Sequence, residues 1–261
     1  MRTTLTALLL FFFSVTALAA VKTSEIKYTV SGKEFTGYMA YDDAIKVKRP
    51  GVLVLHEWWG HDDYARKRAE MLAKLGYTAF ALDMYGTGKR ADHPNDAKEM
   101  MMATFSNMDE TKKRYQEAKN ILMNHETVAG DKIAAIGYCM GGGLAMAMGR
   151  SGDDLDAIVV VHGSVGSKTP VAKGQMKARI LVLTGGADPN IPQEQIDGFK
   201  KEMDAAGVEY EVKVYPGVKH SFSNPAATEL GKKFNAPLEY NEKADKDSWA
   251  KTKQFLKASF K

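Results

Sequence analysis

Short apolar runs alternate with helix-like segments along most of the chain, and this alternation limits the fold more than any other feature. The runs occupy 52–55, 78–82, 132–136, 157–161, 180–183 and 210–214. Runs this short are expected as strands of a mostly parallel sheet, with 52–55 read as a buried one. Between them, 62–75, 94–125, 140–148 and 192–206 have helical composition or period, and 245–260 follows the last run. In 62–75, Ala65, Ala69, Leu72 and Leu75 share one face and Gly76 closes the helix. Segment 94–125 reads as one bent helix or two. In 245–260, Trp249, Leu256 and Phe260 form a stripe expected to pack on the sheet. Ahead of these, 26–30 and 35–41 alternate apolar and polar residues around Ser31-Gly32, which predicts an antiparallel hairpin. Segment 226–241 reads as a loop. The expected fold is α/β, with a mostly parallel central sheet, helices on both faces and an N-terminal antiparallel pair. In such sheets functional residues gather at the carboxyl ends of the strands.

The N-terminus has a different character. Arg2, an apolar stretch over 8–13 and Ala17-Leu18-Ala19-Ala20 have the form of a secretory signal peptide cleaved near Ala19 or Ala20. The expected organisation is therefore a signal peptide over 1–20 and a single domain over 21–261, about 240 residues, in the periplasm or secreted. The apolar stretch is too short to favour a membrane span, and no membrane association is expected after cleavage. Net charge is +4 with both signs mixed along the chain, so no basic stripe for nucleic acid is expected. The oligomeric state is left open. The chain has one cysteine, Cys139, so it has no intramolecular disulfide, and an oxidising compartment would leave that thiol open to chemistry.

Residues 56–61, His-Glu-Trp-Trp-Gly-His, invite a zinc reading. A metalloprotease helix needs its histidines at i and i+4, on one face. His56 and His61 are five apart, about 500° around a helix at about 100° per residue, so their rings would diverge. The segment also follows a buried strand and precedes a helix start. No metal site is expected there.

The motif richest in chemistry follows the run 132–136: Gly137-Tyr138-Cys139-Met140-Gly141-Gly142-Gly143. Its form, Gly-x-nucleophile-x-Gly between a buried strand and a helix, is that of a nucleophile elbow with cysteine in place of serine. The turn is so tight that side chains beside the nucleophile would collide with neighbouring backbone, hence the glycines. The following helix aims its N-terminus at the sulfur, which favours a negatively charged nucleophile. Such an elbow predicts an acid after a later strand and a histidine nearer the end. Asp188 follows the run 180–183, and His220 follows 210–214 in Tyr-Pro-Gly-Val-Lys-His-Ser-Phe. His220 would take the thiol proton and Asp188 would orient its imidazole. His162 also ends a strand and is expected near the same rim.

From about Tyr28 to Phe260 the chain resembles the dienelactone hydrolase family of the α/β-hydrolase superfamily. The resemblance lies in Gly137–Gly142, Gly-x-x-Asp at 185–188, Tyr-Pro-Gly…His-x-Phe at 215–222, Glu-x-x-Gly at 57–60 and Asp83-Met84-Tyr85-Gly86. It implies the α/β-hydrolase fold, and hydrolysis of a small-molecule carboxylic ester or lactone through a Cys139–Asp188–His220 triad and an acyl-enzyme. It implies no metal and no organic cofactor. It also implies that Glu57 approaches the cysteine sulfur and holds the resting thiol protonated until substrate arrives. The backbone N–H groups of Trp58 and Met140 would form the oxyanion hole. Trp59, Tyr85, His162 and Phe222 are expected to line the substrate pocket. Members acting on the acidic dienelactone hold its carboxylate with two arginines. Thr87 and Asn224 stand at the corresponding positions here, with Lys89 and Arg90 nearby. A non-catalytic binding protein on the same fold, or a thioesterase or peptidase using the same acyl-enzyme step, are the alternatives.

Overall fold

The computed structural model describes residues 21–260; the segment 1–20, read as an export signal, lies outside them. The eight strands are β1 (Val21–Val30), β2 (Lys33–Asp42), β3 (Arg49–Leu55), β4 (Thr78–Leu82), β5 (Val128–Tyr138), β6 (Ala157–Val161), β7 (Arg179–Gly185) and β8 (Tyr210–Tyr215). They form one sheet in the order β1-β2-β4-β3-β5-β6-β7-β8. β1 and β2 pair antiparallel, β2 meets β4 antiparallel, and every pair from β4 to β8 is parallel. The hairpin turns on Ser31 (φ 49°) and Gly32 (φ 75°), the two positive φ values that suit a tight two-residue turn.

Alternating side chains of the buried strands serve two cores. Leu53 and Leu55 of β3 face a cluster with Tyr115, Leu122, Leu144 and Phe199, whereas Val52 and Val54 face one with Ala65, Leu72, Phe255 and Leu256. The first side is covered by α3 (Met108–Met123), α4 (Met140–Arg150) and α5 (Gln193–Ala206), the second by α1 (Asp63–Ala73) and α7 (Glu242–Ser259). Segment 94–125 resolves into α2 (Pro94–Ser106) and α3, which meet at Asn107. Asn107 ends one helix and caps the next through its side-chain oxygen and the Glu110 N–H.

Two expectations fail. Leu75 is 40% exposed, because α1 ends at Ala73 and Leu75 falls in the turn beyond it. The segment read as a loop holds α6 (Ala227–Phe234), whose Ala227, Leu230 and Phe234 pack with Trp59. Its apolar positions span only two turns, too few to stand out as a period between Pro225 and Pro237.

The parallel register aligns the strand ends: Leu55 pairs with Gly137, Tyr138 with Val161, Val161 with Leu183 and Gly185 with Tyr215. Glu57, Cys139, His162, Asp188 and His220 all lie just past these ends, on one edge of the sheet.

Candidate active site

Cys139 sits at the junction of β5 and α4 with φ 51° and ψ −116°, a conformation that few residues with a side chain adopt. The surroundings enforce it. The Cys139 N–H donates to the Val161 carbonyl at 3.1 Å, and its carbonyl accepts from the Gly142 N–H at 3.1 Å. A Cβ on Gly137 would run into the backbone of Gly141, and one on Gly141 into the carbonyl of Leu55. The sharp turn leaves the cysteine half-buried at the helix N-terminus, with its side chain bordering a cavity.

The acid and histidine loops are tied to one another before they reach the cysteine. Gly186 donates to the Tyr215 carbonyl at 2.8 Å and Ala187 to the Val218 carbonyl at 2.9 Å. Gly185 has no room for a side chain against Val218. This brings Asp188 Oδ2 to 2.6 Å from His220 Nδ1, while His220 Nε2 lies 3.1 Å from Cys139 Sγ. The other carboxylate oxygen of Asp188 accepts from the Asn190 N–H at 2.8 Å. Burial disfavours charge on His220, but Cys139 and Asp188 on either side outweigh it and hold its pKa well above the ordinary imidazole value. The three residues expected to act together form one hydrogen-bonded chain.

Glu57 lies beside this chain and its hydrogen bonds go elsewhere than expected. Its Oε1 accepts from the Ser221 hydroxyl at 2.8 Å and its Oε2 from the Asn224 amide at 2.5 Å; the sulfur is bonded to His220. Burial and the nearby Asp62 push its pKa up, while Ser221, Asn224 and His220 pull it down. Glu57 therefore grips the loop that carries His220. Ser221 has φ 56°, a strained residue directly after the histidine, which the grip helps to hold.

Neither the Trp58 nor the Met140 N–H donates to a backbone carbonyl among the described loop contacts, and Met140 opens α4, where an N–H has no partner within the helix. The Tyr85 hydroxyl lies 2.9 Å from the Trp58 carbonyl oxygen and 3.0 Å from Met140 Sδ, so it touches both residues. Its ring packs on His56 at 5.0 Å between centroids. His56 Nε2 accepts from the Met84 N–H at 3.2 Å, so its proton sits on Nδ1, which donates to the Glu57 carbonyl at 2.6 Å. The first histidine of the 56–61 segment thus ties the loops after β3 and β4, and burial keeps it neutral. Among the described residues no group of three or more His, Cys, Asp or Glu is disposed to hold a metal ion.

The four residues expected to line the pocket do not border the cavity that holds Cys139. Trp59 stacks on Phe234 and lines a separate recess. Tyr85 is the brace just described. His162, fully buried, bonds the Ser223 hydroxyl at 2.8 Å and backs the His220 ring, with burial pushing its pKa well down. Phe222 fills the core against His162 and Tyr215. Alternation puts a residue at a strand end but does not say whether it faces the cavity or the sheet. The cavity, about 260 Å³, is lined instead by Trp58, Met101, Phe105, Met140, Ile191 and Leu238 around Cys139 and His220. Met101 and Phe105, an i, i+4 pair on α2, share one helix face at this wall, but that spacing fits any packed helix equally well. Thr87 bonds the Thr36 hydroxyl at 2.8 Å, away from the cavity, and Asn224 is engaged by Glu57.

Comparison with known proteins points to one family. Residues 35–260 match the dienelactone hydrolase family. Protein usf of Aquifex pyrophilus is 29% identical over 237 residues, spanning 89% of this chain and 96% of its own. A protein of Aquifex aeolicus (strain VF5), provisionally named a carboxymethylenebutenolidase, is 28% identical over 241 residues, spanning 90% of this chain and 98% of its own. The crystal structure of a dienelactone hydrolase-like promiscuous phosphotriesterase from metagenomic libraries superposes with a TM-score of 0.86 at 28% identity, covering 93% of this chain and all of that one. With an α/β-hydrolase sheet and a family match across nearly all of the described residues, this chain belongs to the dienelactone hydrolase family.

Proposed function

We propose that this chain hydrolyses carboxylic esters or lactones with Cys139 as nucleophile, His220 as proton carrier and Asp188 as the residue that orients it. The observation that carries this is the Cys139–His220–Asp188 chain, 3.1 and 2.6 Å, at the wall of an apolar cavity. The provisional naming of the Aquifex aeolicus relative as a carboxymethylenebutenolidase supports ester or lactone chemistry. His220 takes the sulfur's proton as Cys139 attacks the carbonyl carbon, and the oxyanion is received by the Trp58 and Met140 N–H groups. Collapse of the tetrahedral intermediate breaks the C–O bond, and His220 passes the proton to the leaving oxygen. Water, deprotonated by His220, then cleaves the thioester and restores the thiol. Asp188 keeps the proton on Nδ1 and balances the imidazolium charge. Glu57 acts through Ser221 and Asn224, holding the His220 loop.

The test is turnover of a panel of short-chain 4-nitrophenyl esters and lactones by wild type, Cys139→Ala and alkylated protein. A loss of about 1,000-fold or more in kcat is expected for Cys139→Ala, with a thioester trapped on wild type by mass spectrometry after acid quench. Unchanged turnover by Cys139→Ala would reject the nucleophile. We also infer from the 1–20 signature that the mature chain acts after export. N-terminal sequencing of the protein recovered from its native host should begin near Val21, and a start at Met1 would reject export by cleavage.

A further inference from the structure

Building on the hydrolase reading above, we propose that the cavity beside Cys139 selects neutral substrates with an apolar acyl group, and excludes esters or lactones that carry a carboxylate there. No Lys, Arg, Asp or Glu lines it. Its wall is carbon and sulfur from Trp58, Met101, Phe105, Met140, Ile191 and Leu238. The polar side chains that border it are the reacting pair, Ser164 and Asn190. The Ser164 hydroxyl already donates to Gln195 Oε1 at 2.9 Å, and Asn190 adds a neutral amide at an exposed edge. A carboxylate entering this space would give up its water and find no lysine or arginine, only His220, which Asp188 already holds at 2.6 Å. Lys67, Arg90 and Lys233 line the larger recess that contains Trp59, together with Asp62, Asp63 and Asp92; that recess does not border Cys139. An alkyl or aryl group, by contrast, gains from burial against the same wall. The volume, about 260 Å³, suits a small acyl group rather than a long chain.

The selectivity can be read with two substrates that differ in one terminus, 4-nitrophenyl hexanoate and the mono-4-nitrophenyl ester of adipic acid, each corrected for uncatalysed hydrolysis. The expected result is kcat/KM on the order of 100-fold higher for the hexanoate. Phe105→Arg, a change at a position 38% exposed and so tolerant of charge, should narrow that ratio at least tenfold by raising adipate turnover. Equal or preferential use of the adipate ester by wild type overturns the proposal, and so does a ratio that Phe105→Arg leaves unchanged. The same two esters are titrated against Cys139→Ala through the fluorescence of Trp58 and its neighbours. If wild type turns over neither ester while Cys139→Ala binds the hexanoate more tightly, the hydrolase reading fails and the selectivity stands. Equal binding of the two overturns the selectivity whatever the turnover.

Discussion

One hydroxyl group holds both residues proposed to receive the oxyanion. Tyr85 reaches the Trp58 carbonyl and the Met140 sulfur at about the same distance, and a buried, neutral His56 supports its ring. Removing it with Tyr85→Phe leaves the ring and its packing. The expected outcome is a kcat lowered roughly tenfold with little change in KM, since the brace matters when charge develops on the oxygen. Stability should fall by only about 1 kcal/mol. A rise in KM without loss of kcat would instead make Tyr85 a substrate-binding residue. The identity of Tyr85 was visible in the Asp-Met-Tyr-Gly segment, but its task was not. A tyrosine after a strand can line a pocket or brace one, and only the positions of Trp58 and Met140 around it distinguish the two. Ser221 and Asn224 show the same limit. Neither carries a local pattern, and their role appears only where the loop after β8 meets Glu57.

At the scale of elements, the β5–α4 junction is the feature most fully legible in the sequence. Its glycines are spaced by the collisions they avoid, and the strained cysteine follows from that spacing. Gly141→Ala would push a methyl group into the Leu55 carbonyl and so part α4 from the end of β3. We expect a loss of about 3 kcal/mol in chemical denaturation and loss of activity. A soluble, fully active Gly141→Ala protein would show that the close contact is not needed. α2 and α6 were harder to place. Both pack over the strand ends without entering the sheet, and their short apolar stripes match a surface helix as well as a cavity wall. The wall-forming role of Met101 and Phe105 comes from where α2 lands, not from their spacing.

Across the whole molecule, three histidines are buried in neutral form. Burial lowers the pKa of His56 and of His162, and drives His61 down to about 3, aided there by the cations Arg66 and Arg90. Each is free to protonate in the unfolded chain near its ordinary value of about 6.5. As pH falls through that value the unfolded chain binds more protons than the folded one, so stability declines, by up to about 1.4 kcal/mol per pH unit for each histidine. His220 has the opposite sign. Its raised value adds stability that is present below about pH 6.5 and is lost as pH rises through the folded value. Denaturation midpoints measured from pH 8 to pH 5 should therefore drop on the acid side, ahead of carboxylate titration. A flat profile across that range would mean the buried histidines are already protonated in the fold. The sequence alone determined the strand–helix alternation, the parallel sheet and the order in which Cys139, Asp188 and His220 follow their strands. Those follow from local period and from steric demands that a few consecutive residues impose. Which side chains line the cavity beside Cys139, which brace Trp58 and Met140, and which of Glu57's neighbours it grips were decided only by tertiary structure. Each depends on segments far apart in the chain meeting at one edge of the sheet, and no local spacing encodes that meeting.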